Sequence, residues 1–318
     1  MKHYFIINPA AGSHDATDEI KSAIMNLDEA IDYEIYITNH QGDATEYIKS
    51  VLSATDEECR FYACGGDGTL NEVASGVVGF KNASIAAYPC GSGNDYIKYY
   101  GKKEDFLNIK ALVTGVEKEI DLIKSCGRYA INAVHFGFDT AVLKTMMKVR
   151  RKFLIGGKNA YTTGVVTALI RSMKTFCSFK SDGETIGNEK MLLATIANGK
   201  FVGGAYQCSP RSINDDGLLE VCKVNTLSRL TFIKLINIYK QGKHLDDKRI
   251  AKYINYRRAK KVEVEFNGIG DVSIDGELVH VKKFTAEIME KAMKFVVPSS
   301  LVKESNTDII GGEKELVH

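Results

Sequence analysis

The sequence predicts a two-part α/β chain: a helix-covered parallel sheet up to about Asp121, then a mostly antiparallel, strand-rich domain. Up to that point short apolar runs alternate with helical patterns, as strands joined by crossover helices do. Each unusual loop there, Asn8–Gly12, Thr38–Gly42, Gly65–Thr69 and Pro89–Asp95, follows a strand, the end of a parallel sheet that binds ligands. Beyond Asp121 strand-like runs dominate, interrupted by helical stretches near 139–175 and 227–240.

Tyr4–Asn8 reads as a buried strand, and Asp18–Leu27 as a helix with Ile20, Ile24 and Leu27 inward. Tyr33–Thr38 alternates as a strand does. Asp43 and Glu46 resemble a helix N-cap with its return partner, ahead of Tyr47, Ile48, Val51 and Leu52. Phe61–Cys64 is the next strand, and Leu70, Val73, Ala74 and Val77 then share one helical face. Ser84–Tyr88 is the fourth. In the second part Tyr129–Val134, Met191–Ala197, Leu218–Val224, Lys261–Phe266 and Val272–Ile274 read as strands. Ala292–Val297, before Pro298, is expected to return to the first domain. The expected boundaries are 1–121 with 290–302 returning, 122–289, and a polar, mobile tail at 303–318.

With 318 residues, 44% hydrophobic and 26% charged, the chain is an ordinary globular one, long enough for two domains. A formal net charge of +2 gives no general attraction to nucleic acid, so no nucleic-acid partner is expected. Seven scattered cysteines without a C-x-x-C pair read as reduced thiols, and Cys64 and Cys90 as small buried residues. No signal-peptide pattern opens the sequence, and the longest uncharged run, Asn82 to Asn94, is too short to span a bilayer. A cytoplasmic protein, at most peripheral to a membrane, is expected. Leu143–Phe179 mixes apolar residues with Lys144, Lys148, Arg150, Arg151 and Lys152; a face for anionic lipid and a solvated charge run both fit it.

The strongest local signal is Gly65-Gly66-Asp67-Gly68-Thr69, set between a strand and a helix. Glycines there let backbone N–H groups approach an anion. Asp67 would repel phosphate unless it holds a metal or takes a proton, which points to phosphoryl transfer. Pro89-Cys90-Gly91-Ser92-Gly93-Asn94-Asp95 supplies a second backbone nest, with Ser92 as a donor and Asp95 as a second carboxylate on the same sheet edge. Asn8-Pro9-Ala10-Ala11-Gly12 alone is no more than a turn that could approach phosphates.

Together these segments resemble the diacylglycerol kinase catalytic-domain family, which includes bacterial lipid kinases and is related to sphingosine and ceramide kinases. The resemblance runs through Asn8-Pro9-x-Ala11-Gly12, Gly65–Glu72, Pro89-x-Gly91-Ser92-Gly93-Asn94-Asp95 and Glu119-Ile120-Asp121. It continues in Asn198-Gly199-x-x-x-Gly203-Gly204, Asn214–Leu219 and Asp275-Gly276-Glu277, in family order and over nearly the whole chain. The glycine–aspartate block alone is shared with NAD kinases and phosphofructokinases.

The resemblance implies a Rossmann-like, NAD kinase/phosphofructokinase-like parallel sheet and a β-sandwich second domain, with ATP and Mg²⁺ used to phosphorylate a lipid hydroxyl, diacylglycerol-like for preference. It places ATP on Asn8, Pro9, Ala10, Ala11, Gly12, Thr38, Gly65, Gly66, Asp67, Gly68, Thr69, Leu70, Asn71 and Ser92. Asp67, Asp95 and Asp121 match the acidic network of the catalytic Mg²⁺. Glu277 matches the general base, with Asp67 a rival because sphingosine kinases assign that role to the aspartate of the glycine-rich block. Asp216, with main-chain oxygens of Ile213 and Leu218, matches a structural metal site, although Ile213 stands where some members carry an aspartate; a metal-free turn fits Asp216 equally well. The lipid would be met at a membrane surface, and an exposed sheet edge leaves a homodimer open. The rival readings are an NAD kinase-like or other small-molecule kinase, and a nucleotide- or lipid-sensing regulator without turnover.

Overall fold

The computed structural model describes residues 1–153, 173–187 and 189–302. The chain divides into two compact units, Met1–Ile120 together with the stretch from Lys291, and Asp121–Glu290. The expected tail at 303–318, and the part of the 139–175 stretch between 154 and 172, lie outside the described residues.

In the first unit β1 (Lys2–Ile7), β2 (Tyr33–Ile37), β3 (Cys59–Gly65) and β4 (Ala83–Pro89) lie in the order β2-β1-β3-β4, every pair parallel. The last residues of β14 (Glu277–Val297) add a parallel fifth strand, Lys294 and Phe295 pairing with Ser84 and Ile85. β3 and β4 are buried throughout, as continuous apolar runs covered on both faces should be, whereas β2 is a half-exposed edge. α1 (Thr17–Met25), α2 (Asp43–Leu52) and α3 (Asp67–Val77) are the crossovers, and α3 buries Leu70, Val73, Ala74 and Val77, the expected face. The strand order reverses between β1 and β3, which makes the crevice beyond their carboxyl ends the natural ligand position.

The capping reading at Asp43 is corrected. Gly42, at φ 89, precedes the helix, and Asp43 is its first residue. The Asp43 carboxylate instead accepts the Asn39 N–H at 2.7 Å and the Tyr36 hydroxyl at 2.7 Å. Those two bonds hold it below the usual carboxylate range and fix the Thr38–Gly42 loop.

The second unit is antiparallel. β7 (Ala133–Gly137), β10 (Lys190–Ala197), β11 (Leu219–Asn225), β12 (Ile254–Ala259), β13 (Lys261–Ile274) and β14 form the path β12-β11-β10-β7-β13-β14. β8 (Thr175–Ser181) pairs with both β10 and β13, so β7, β10, β8 and β13 form a closed hydrogen-bonded circuit. Phe136, Phe179, Phe266 and Phe284 pack inside it, Phe136 meeting Phe266 edge-on at 5.4 Å and Phe284 at 5.5 Å. A helix follows β7, α4 (Phe138–Phe153), and α5 (Arg229–Lys240) covers a second apolar cluster with Phe232, Leu235 and Tyr239.

Several strands differ from the sequence reading for physical reasons. Tyr129–Val134 is two strands, β6 (Arg128–Ala130) and β7, because the Asp275 carboxylate takes the Ile131, Asn132 and Ala133 N–H groups at the break. Lys261–Phe266 and Val272–Ile274 are one strand with a register shift between Glu265 and Gly270. β8 and β12 carry too many polar residues to read as strands alone. Among the described residues no helix is long and apolar enough to cross a membrane.

Burial holds three histidines, His3, His135 and His244, down at about 4, with the Arg60 charge adding to the effect at His3. Below the ordinary value of 6.5 the unfolded chain takes up protons that these folded rings refuse. Stability is therefore expected to be full near neutral pH and to fall as pH drops towards 4, by up to about 2 kcal/mol per histidine after allowing for screening. Urea unfolding over that range checks this; a midpoint independent of pH would contradict it.

Candidate active site

The site is built at the carboxyl ends of the four strands of the first unit. Asn8 donates its backbone N–H to Cys64 O at 3.0 Å and its side-chain amide to Thr69 Oγ1 at 3.1 Å, while its Oδ1 accepts the Ala10 N–H at 3.0 Å. The first loop is thereby tied to the first turn of α3. Gly12 has φ +86, and a Cβ there would collide with the Cys90 carbonyl oxygen, so the first and fourth loops touch through backbone. Cys90 and Gly91 both donate to Gly65 O, at 2.8 and 3.2 Å. A Cβ on Gly91 would lie 2.5 Å from Gly66 Cα. Thr38 closes the set, its N–H bonded to Ile7 O at 2.9 Å.

α3 begins beneath these loops. Its N-cap, Gly66, is extended and supplies no side-chain acceptor to the first-turn amides. Gly68 has ordinary φ, and no atom lies within 4 Å of the position its Cβ would take. Internal packing therefore does not require glycine at 68, while the missing side chain leaves open space over a helix N-terminus. Such a terminus favours phosphate through its N–H groups and its dipole.

Asp67 accepts the Asp95 N–H on Oδ1 at 2.5 Å and the Tyr96 N–H at 3.4 Å, bracing the short 3-10 helix Tyr96–Tyr99. Its Oδ2 and that of Asp95 face one point, lying 2.8 and 3.9 Å from where a Gly93 Cβ would stand. Lys98 pairs with the other Asp95 oxygen at 2.5 Å. Asn94, at φ 48, donates to Gly91 O at 2.6 Å and leaves Ser92 exposed at the loop tip. Leu70 is a core residue at 4% exposure, so only its backbone can serve a ligand. Ala10 is exposed and Pro9, Ala11 and Asn71 are half-buried. Burial pushes the Cys64 thiol well up and that of Cys90 to about 11, which makes both poor nucleophiles.

The remaining candidates belong to the second unit. Asp121 is wholly buried; its Oδ2 accepts the Gly217 N–H at 2.7 Å and its carbonyl accepts from Asn198 at 2.7 Å. Asp275 and Gly276, both at positive φ, form a tight hairpin turn, and Glu277 opens β14 just after it. Glu277 forms an ion pair with Arg128 of β6. Nothing in the spacing pointed to Arg128, because the partnership exists only through folding. Asp216 is paired with Arg258 and accepts the Leu218 N–H at 3.1 Å, while Ile213 is 44% exposed.

Among the described residues no three His, Cys, Asp or Glu side chains gather as metal ligands. The two carboxylates converging over Gly93 still fit Mg²⁺, which commonly uses one or two carboxylates plus phosphate oxygens and water.

Two family models match the chain. The diacylglycerol kinase catalytic domain covers residues 2–125, and the YegS C-terminal NAD kinase beta sandwich-like domain covers residues 132–297. The diacylglycerol kinase of Bacillus subtilis (strain 168) is 27% identical over 277 residues, 86% of this chain and 88% of that protein. A protein of Pseudomonas aeruginosa named "Probable lipid kinase YegS-like" is 27% identical over 301 residues, 92% of this chain and 95% of its own. The crystal structure of a diacylglycerol kinase from Bacillus anthracis superposes with a TM-score of 0.68 at 21% identity, covering 94% of this chain and 98% of that chain. An NAD kinase from Archaeoglobus fulgidus in complex with ATP shares the fold at a TM-score of 0.52 and 13% identity, covering 97% of this chain and 98% of that chain. The chain therefore belongs to the lipid kinase family that joins a diacylglycerol kinase catalytic domain to a YegS C-terminal NAD kinase beta sandwich-like domain.

Proposed function

We propose that the protein transfers the γ-phosphate of ATP to the hydroxyl of a lipid, a diacylglycerol-like molecule by preference. The observation that carries this reading is the uncapped N-terminus of α3, open above Gly68 and flanked by Asp67 and Asp95. In this reading the Asn8–Gly12, Thr38, Gly65–Asn71 and Ser92 segments hold ATP, the phosphates against backbone N–H groups. Asp67 and Asp95 would hold Mg²⁺, which supplies neutralisation of phosphate charge when bound. Asp121 serves by fixing the turn at Gly217.

Phosphoryl transfer depends mainly on positioning and charge stabilisation. The lipid hydroxyl oxygen bonds to the γ-phosphorus as the bond to the β-phosphate oxygen breaks, and ADP leaves. The hydroxyl proton passes to the Glu277 carboxylate. Arg128 orients that carboxylate through the ion pair. The acceptor is taken from a membrane surface that the protein reaches as a peripheral visitor. Incubation with labelled ATP, Mg²⁺ and diacylglycerol vesicles tests the reading: the expected product is a phosphorylated lipid, and ATP hydrolysis without any lipid product would refute it.

The loop contacts give a further expectation. Gly91→Ala sets a Cβ 2.5 Å from Gly66 Cα, a backbone atom that cannot swing aside. ATP affinity is expected to fall about tenfold or more, a cost of about 1.4 kcal/mol or greater. Calorimetric titration of ATP measures it, and wild-type affinity would contradict the proposed cradle.

A further inference from the structure

We infer that in this chain the Asp216 turn is closed by an internal cation, the Arg258 guanidinium, and takes no divalent ion. The family resemblance implies a structural metal held by Asp216 with the main-chain oxygens of Ile213 and Leu218. The residues present do not fit it. Of the Asp216 carboxylate oxygens, Oδ1 accepts the Leu218 N–H at 3.1 Å and Oδ2 is paired with Arg258. The side chain at 213 is isoleucine, so it adds no negative charge.

Arg258 is built into its place. It stands directly across from Glu220 in the β11–β12 register, and its Nε donates to Glu220 Oε1 at 2.9 Å. Glu220 is 1% exposed, and the Tyr256 hydroxyl donates to its other oxygen. One guanidinium thus joins the Asp216 turn to a buried carboxylate in β11. The fork geometry of arginine suits two acceptors at once, which a point charge would not. A divalent ion at Asp216 would lie beside this fixed positive charge. Displacing Arg258 would strip Glu220 of its charged partner, a costly outcome for a buried carboxylate. Asp215 is exposed, and the Glu290 carboxylate that packs against Gly217 carries its own cation, Lys260, at 2.6 Å. The same turn receives Asp121 through the Gly217 N–H, so Arg258 and Asp121 brace it from two sides.

The test is thermal unfolding of the full chain without nucleotide, in EDTA and then in excess Mg²⁺ or Ca²⁺, for wild type, Asp67→Asn, Asp216→Asn and Arg258→Met. In the Asp67→Asn background, where the nucleotide-site carboxylate pair is broken, Tm is expected to be the same in EDTA and in divalent ion. Arg258→Met is expected to lower Tm by about 5 °C, with part regained by divalent ion now that Asp216 is uncovered. Arg258→Lys in the same Asp67→Asn background, which keeps the charge, should fold and stay insensitive to EDTA if the methionine variant does not fold. A divalent-dependent Tm in Asp67→Asn that disappears when Asp216→Asn is added would overturn the inference. A dependence that survives the added Asp216→Asn assigns the ion elsewhere and upholds it.

Discussion

Asp67→Asn is expected to reduce ATP-dependent lipid phosphorylation about 10³-fold while leaving the fold intact. The two halves of that expectation come from the two carboxylate oxygens. Oδ1 accepts the N–H groups of Asp95 and Tyr96, and an asparagine carbonyl can do the same. Oδ2 faces the point over Gly93 that Asp95 also faces, and only a carboxylate offers negative charge there. Removing one charge from the pair is expected to weaken the proposed hold on Mg²⁺ without loosening the loop. Turnover with saturating ATP and an unchanged melting temperature would together verify the expectation. An unaltered kcat would remove Asp67 from the chemistry.

Glu277→Gln is expected to lower kcat about 10²- to 10⁴-fold, the usual value of a positioned general base, with little change in KM for ATP. Glutamine keeps the shape of the side chain but cannot accept the proton. The two aspartate and glutamate variants separate the rival bases. If Glu277→Gln keeps full activity while Asp67→Asn loses it, Asp67 is the base, as the sphingosine kinase comparison allows. Arg128→Ala should follow Glu277→Gln in direction but not in size, because Arg128 acts on the carboxylate rather than on the hydroxyl.

Much of this was legible in the sequence because it rests on local rules. The helical face of Leu70, Val73, Ala74 and Val77 and the glycine-rich turn ahead of it are written in consecutive residues. The same holds for the loops at Asn8 and Pro89, since strand ends and glycines mark them without tertiary knowledge. What escaped depends on partners far apart in the chain. Asp275 splits an apparent strand by binding Ile131, Asn132 and Ala133 from about 140 residues away, a distance no periodicity reaches. Arg128 and Arg258 look like ordinary strand residues; register sets Arg258 across from Glu220, and only the folded ion pairs reveal that Arg128 holds Glu277 and Arg258 holds Asp216. Asp43 was misread because its neighbours satisfy a capping pattern, yet Gly42 takes the left-handed position and frees the carboxylate for Asn39 and Tyr36.

The α3 terminus and its two aspartates are proposed to serve transfer of phosphate to a lipid hydroxyl. The most direct measurement is incubation of the protein with γ-labelled ATP, Mg²⁺ and a fractionated lipid extract, followed by mass spectrometry of the labelled product, with Asp67→Asn alongside. Label is expected in a lipid phosphomonoester with wild type and none with the variant. Label found only in inorganic phosphate or in NADP, with every lipid fraction unlabelled, would contradict it.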